Sequence, residues 1–596
     1  MASTDDRTDP AAPVNCPDDS GTRGTERRES DASDNPRRID RSRILTWIRA
    51  GSPIISAVLV TIWMFRPVIF SGQLPGNIGD ARWTIALHEH WYQVWRGQET
   101  IRDLHYYFPV QGTLGTSDAF LVQGQFYAIA RLLGWGFVDS WIFAVISIFL
   151  LGAIGVAVLA KRILRSVWSQ VGFVVLSCAS YAVIGSADHV QLLGFLSASW
   201  IMVGCHDLAT GRHPKRGLAL IIVVPPLLAL SSWYAVVLLA IVLAFLAVYI
   251  LLFSSGTAIA TGAHQISADT GRALWSPVGA VLLVCLVVGW AAVLWVYIPS
   301  RDLLPPPAWT DVVAYSPRLS DIVNASEGGG GIWSSLYKRW FDPASYNSEQ
   351  SFGFTPILLG SFALFGLYQI RLGLLGRQQA SGRTGLPGRS GLAAVWFTVI
   401  TTIGFFLIDE RGLSLYRFFW FHVPGLESIR APYRVQIFLY AFAAFMVLRS
   451  LELIWERSNR LRSVHWRRYL FIAGAGVLIT MIFIEMQRPL DASWTRSDFL
   501  PPALEARVGE IRDSCDVMIL LDEDQTDFGW VNPINAVVLS VASGVPTPQG
   551  YSRANPVGQP GLNSDGTSLQ QWLLGQGFHG RLCAVSSQAV TVLSDS

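Results

Sequence analysis

Long apolar runs alternate with short polar stretches along most of this chain. Eleven runs carry few charges, at 52–70, 139–160, 168–187, 190–207, 218–232, 235–253, 277–298, 353–371, 392–408, 434–450 and 469–486. A run of about 17 to 25 residues crosses the hydrocarbon layer as a helix. A helix also satisfies its own backbone hydrogen bonds there. The pattern predicts an α-helical polytopic membrane protein of about 11 transmembrane helices. Within 218–253, Pro225-Pro226 and Ser231-Ser232-Trp233-Tyr234 interrupt the apolar stretch and predict two short helices.

The segment 119–137 is ambiguous by hydropathy, because it holds Gln123, Gln125 and Arg131. Charge decides its reading. If it is an interfacial helix, Lys161, Arg162 and Arg165 fall in the cytoplasm, and so do the later basic clusters, as the positive-inside rule favours. The outer side then holds the loops 71–138, 299–352 and 409–433 and the tail 487–596. Gly329 is expected outside and Gly382 inside. Residues 1–45 are rich in Asp, Arg, Ser and Pro and read as a disordered cytoplasmic tail. Residues 46–486 form the membrane domain, with its first run kept as a signal anchor.

Composition agrees with a plasma-membrane, multi-pass chain. Hydrophobic residues are 51% and charged residues 15%, with a mean hydropathy of +0.37; soluble domains carry about 25% charged residues. A net charge of +2 says little about partners, and no basic patch interleaved with aromatics suggests nucleic acid; the apolar runs make membrane lipids the expected partners. The tail reads as a small extracytoplasmic α/β domain, with strand-like runs at Val517–Leu521 and Ala536–Leu539 and a helix near 568–575. Cys515 and Cys583 are the only two of the six cysteines in this tail. In an oxidising compartment they are expected to form a disulfide.

Candidate chemistry gathers in the outer loops. Asp80 lies ten residues past the first run, behind two glycines, at the start of an amphipathic helix. It is either an N-cap or a functional acid. Trp83, Leu87, Trp91 and Trp95 share one face of that helix, as suits a helix lying on a membrane surface. His88, Glu89 and His90 cannot all reach one metal from a single helix, so they read as a polar face. Asp118 follows Ser117 in a turn and is a cap or a ligand. Asp188 and His189 sit in a short turn at the outer membrane surface, and are either a hairpin turn wetted by headgroup water or functional groups, as ionisable residues at membrane depth suggest. Arg417, Arg430 and Arg434 bracket a Pro-rich turn on the outer side, against the usual bias. They either snorkel to headgroups and Glu427 or hold a phosphate in their planar forks.

This layout resembles the GT-C superfamily of polytopic membrane glycosyltransferases. The shared features are a Gly-Asp element in the first outer loop, two interfacial helices, and a polar turn after the third span. The tail's Gly550-Tyr551-Ser552, after Pro546-Thr547-Pro548, and its Trp572…Cys583 segment resemble an uncharacterised bacterial branch of that superfamily. The resemblance implies a polyprenyl-phosphate-linked sugar as donor and a glycan or lipid acceptor. It implies Asp80 as the loop acid, with Asp188 and His189 as further catalytic candidates. It implies Arg430 at the donor phosphate, with Arg434 or Arg417 expected beside it; Glu89 and Asp118 are further substrate-binding candidates. No certain cofactor follows. The paired acids common in such families are absent at Asp80, where Ala81 follows, so a divalent metal stays open. The rival class is a non-enzymatic transporter or lipid flippase. Its usual paired broken helices find only Pro225-Pro226 here, without a counterpart.

Overall fold

The computed structural model describes residues 41–185, 189–253, 276–323, 352–375, 389–409, 411–460, 465–487, 494–521, 531–552, 554–561 and 566–595, with single residues between. Asp188, Gly329, Gly382 and residues 1–40 lie outside the described residues.

A helix occupies each of the eleven apolar runs. The chain begins with α1 (Arg41–Met64), followed in the first loop by α2 (Ile78–Trp95) and α3 (Leu121–Leu132). Next come α4 (Phe137–Ile163) and α5 (Val167–Cys178), then a 3₁₀ run at Val190–Ala198 that leads into α6 (Ser199–Ala209). The series continues with α7 (Pro214–Ser231), α8 (Trp233–Phe253), α9 (Pro277–Ser300), α10 (Pro356–Leu375) and α11 (Arg389–Phe406). The short α12 (Leu415–His422) precedes α13 (Gln436–Arg460) and α14 (His465–Glu485). Among the described residues, seven stretches are long and apolar enough to cross a membrane, while Gly51–Met64, Gly391–Phe406 and Tyr469–Glu485 are shorter apolar helices. The protein is a multi-pass membrane protein. By contrast α3 has 12 residues, a length of about 18 Å, well short of the hydrocarbon core.

Two kinds of surface follow from the packing. Tyr440, Phe149 and Phe195 are fully enclosed between helices, whereas Val281, Val284 and Val287 of α9 and Leu251 of α8 are more than half exposed. Apolar side chains at those positions have lipid as their natural neighbour. Inside the bundle, carboxylates of one helix serve the start of another. Glu452 of α13 accepts from the backbone N–H groups of Arg165 and Ser166, at 2.9 and 2.7 Å, before α5. Glu485 of α14 accepts from those of Ile357 and Leu358, at 2.9 and 2.7 Å, in the first turn of α10. Each satisfies orphan donors at a helix N-terminus, where negative charge is also favoured.

The tail carries β1 (Val517–Leu520), α15 (Val531–Ser543), α16 (Thr567–Gly575), β2 (Arg581–Val585) and β3 (Val590–Asp595). The sheet order is β1-β2-β3. β1 pairs parallel to β2, from Val517↔Leu582 to Leu520↔Val585, and β3 pairs antiparallel to β2. Cys515 and Cys583 form a disulfide, with Cα atoms 5.7 Å apart, inside the range of about 4.4–6.8 Å that a bridge requires. One expectation fails here: Ala536–Leu539 is the middle of α15, not a strand. All four residues are buried. The helix packs against α2 on one side and β1 on another, so it is apolar around its circumference. A short apolar run without a visible period does not separate strand from helix.

Candidate functional site

Asn77 decides the role of Asp80. Its backbone is extended and its side-chain oxygen accepts from the Gly79 N–H at 2.8 Å, which makes Asn77 the N-cap of α2. Asp80 is therefore not needed as the cap, although it sits in the first turn, where the helix dipole favours a carboxylate. Its Oδ2 pairs with Nδ1 of His189, and its Oδ1 accepts from the Tyr551 hydroxyl at 3.3 Å. The two side chains of the Asp80–His189 pair are 15% and 20% exposed. The carboxylate on Nδ1 orients the imidazole.

The rest of α2 departs from the expected surface helix. Trp83, Leu87 and Trp91 are buried and only Trp95 is half exposed. Trp83 Nε1 donates to the Tyr106 hydroxyl at 3.1 Å and Trp91 Nε1 to the Ala119 carbonyl at 2.7 Å. The face predicted for a membrane surface is covered by the protein's own loop. His88, Glu89 and His90 are likewise buried rather than a solvated polar face. The His88 Nδ1–H donates to the Thr84 carbonyl, its ring stacks on Tyr127, and burial pushes its pKa down to about 4. Glu89 accepts from the Tyr127 hydroxyl at 2.7 Å, from Gln93 at 2.7 Å and from Arg131 at 2.9 Å. Burial pushes Glu89 upward against the pull of Arg131. These contacts tie α2 to α3. His90 and His105 both face Glu99, one on each carboxylate oxygen.

A second group of predicted residues meets at the start of α8. Asp118 accepts from the Ser232 hydroxyl at 3.0 Å and the Trp233 N–H at 2.9 Å. It thus caps α8 at the break from α7. Burial raises its pKa to about 6, opposed by those two bonds and by the charge of Arg434. Arg434 is buried and stacks over Tyr234 at 5.0 Å. The Arg430 N–H donates to the Tyr234 hydroxyl at 2.8 Å, and its guanidinium lies 4.6 Å over Tyr315. Arg417 lies 5.8 Å from the Trp309 ring and 6.0 Å from Phe421. The 3₁₀ run that follows His189 packs against both α2 and α8, so one short segment touches the helices that carry each group.

Among the described residues no group of three His, Cys, Asp or Glu side chains converges as a metal site. Sequence reasoning missed Glu99 and His105, and it gave Tyr551 no role. No local signal marks Glu99 or His105, because their pairing depends on the fold of the loop. Tyr551 lies 471 residues from its partner.

No known protein-family profile matches the chain, and no curated protein matches it. Among solved structures, the crystal structure of ArnT from Cupriavidus metallidurans bound to undecaprenyl phosphate is similar. The likeness covers 85% of this chain and 86% of that one, at 10% identity and a TM-score of 0.31. An overlap this loose leaves the site to be read from its own geometry.

Proposed function

We propose that this chain is a membrane glycosyltransferase. It moves a sugar from a polyprenyl-phosphate donor to a cell-envelope acceptor at the outer face of the plasma membrane. The observation that carries the reading is the Asp80–His189 pair: an acid relieved of capping by Asn77 and bonded to an imidazole.

The acceptor hydroxyl gives its proton to Asp80, with His189 orienting the carboxylate. The acceptor oxygen bonds to the anomeric carbon while the bond from that carbon to the lipid phosphate oxygen breaks. The electron pair leaves with the phosphate. Arg430, aided by Arg434 and Arg417, neutralises the charge that develops there. A single displacement of this kind inverts the anomeric centre. Within the helices, Glu452 and Glu485 are engaged by backbone N–H groups, which gives little support to a transporter's ionisable path.

The test is transfer from a labelled polyprenyl-phosphate sugar by the purified full chain. Asp80→Asn is expected to lose about a hundredfold or more of kcat while the protein stays folded. Full activity in that variant sinks the assignment. Movement of intact lipid-linked sugar between leaflets, without transfer, would favour a flippase.

A further inference from the structure

The tail does more than cover the first loop: it delivers a side chain to Asp80. The segment from Gly544 to Tyr551 is fixed on two sides. On the sheet side, Met518 donates its N–H to the Pro546 carbonyl at 3.0 Å. The Gln549 side chain accepts from the Leu520 N–H at 2.6 Å and donates to the Leu520 carbonyl at 2.8 Å. On the loop side, Thr547 donates to the His105 carbonyl at 3.1 Å and accepts from the Phe108 N–H at 3.0 Å. The His105 Nε2–H donates to the Gly544 carbonyl at 3.1 Å.

Gly550 then lies on the Tyr107 ring, where a Cβ would collide with ring atoms. This close approach requires glycine and brings the next residue over α2. There the Tyr551 ring meets Trp83 edge to face, with centroids 5.6 Å apart, and its hydroxyl reaches Asp80 Oδ1. Both carboxylate oxygens of Asp80 are thereby held from different parts of the chain, Oδ2 by His189 and Oδ1 by Tyr551.

We propose that Tyr551 is a positioning residue for Asp80, so that the C-terminal domain is a working part of the transferase site. The proposal rests on the reading of Asp80 as the base. The Tyr551 hydroxyl donates to the charged carboxylate. It fixes the rotation of that group toward the acceptor. When the carboxylate takes the acceptor's proton, the tyrosine keeps its own.

The experiment compares Tyr551→Phe with the parent chain and with Asp80→Asn. Phenylalanine keeps the ring on Trp83 and removes only the hydroxyl. The expected result is a fall in kcat of about threefold to tenfold, with the KM for the lipid donor unchanged. In the Asp80→Asn background the same substitution should leave the residual rate unchanged, because the carboxylate that the hydroxyl positions is gone. A merely structural role would lower both backgrounds by the same factor, so an equal fall in the two overturns the proposal. If Asp80→Asn loses its activity and Tyr551→Phe keeps the parent kcat, the base reading stands and the role of Tyr551 falls. If Asp80→Asn is fully active, both fall.

Discussion

Asp80 and Asp118 belong to one loop and meet different kinds of partner. Asp118 accepts from a backbone N–H and a hydroxyl at the broken junction of α7 and α8, and it is pushed to about 6 by burial. Asp80 is bonded to an imidazole and a phenol. A raised pKa in a carboxylate is a common pointer to catalysis, and by that criterion alone Asp118 would be chosen. The hydrogen bonds point the other way. A carboxylate held by the start of a helix is part of the fold, as Glu452 and Glu485 also are. A carboxylate held by titratable side chains can exchange a proton with a substrate.

The largest expected effect breaks this comparison outright. Asp80→Asn should cost about a hundredfold or more in kcat and little in stability, as measured by transfer assay beside thermal unfolding in detergent. Asp118→Ala should do the reverse. It leaves the start of α8 without its acceptor, so the chain should lose about 1–3 kcal/mol of stability, while kcat per folded molecule stays close to the parent value. If the two variants behave alike, the distinction is wrong.

A smaller effect sharpens the division between the two arginines near Tyr234. Arg430→Ala should lower kcat about tenfold, through the loss of one charge-assisted contact to the leaving phosphate, with a melting curve near that of the parent. Arg434→Ala, which removes a buried cation beside Asp118, should lower both kcat and the melting curve.

The smallest expected effect concerns pH. Burial lowers the His105 pKa, but the hydrogen bond and charge of Glu99 outweigh it, so the net shift is upward. Burial raises Glu99, but its bonds from His105 and His90 outweigh that, so the net shift is downward. The His105 contribution is full below its ordinary value of 6.5 and fades as pH rises through the raised folded value. The Glu99 contribution is present above its ordinary value of 4.5 and fades as pH falls through the depressed one. The junction of loop and tail should therefore be firmest in mildly acidic to neutral solution. As pH rises from mildly acidic to alkaline the full chain should lose stability, read as a falling melting temperature. His105→Gln should flatten that dependence; an equally steep fall in the variant would refute it.

The membrane helices were legible because an apolar run of spanning length has few alternatives. The α7–α8 break was legible from Ser231-Ser232-Trp233-Tyr234, whereas Pro225-Pro226, read as a further interruption, lie inside α7. Ala536–Leu539 was misread because its burial against both α2 and β1 erased any period. At the site, Asp80 and His189 could be singled out, since acids near apolar runs are conspicuous. Their pairing could not, nor could Tyr551 or the Glu99 cluster. Such contacts are set by how distant segments pack, and no spacing along the chain encodes them.

The distance in sequence between Asp80 and Tyr551 also has a consequence in time. A ribosome that has placed residue 80 must add 471 more before Tyr551 exists. At about 5–20 residues per second, that is about 25 to 90 seconds. During that interval the spans insert, yet Asp80 still lacks the Tyr551 hydroxyl. The order of synthesis thus withholds the finished site until the tail has been made and folded.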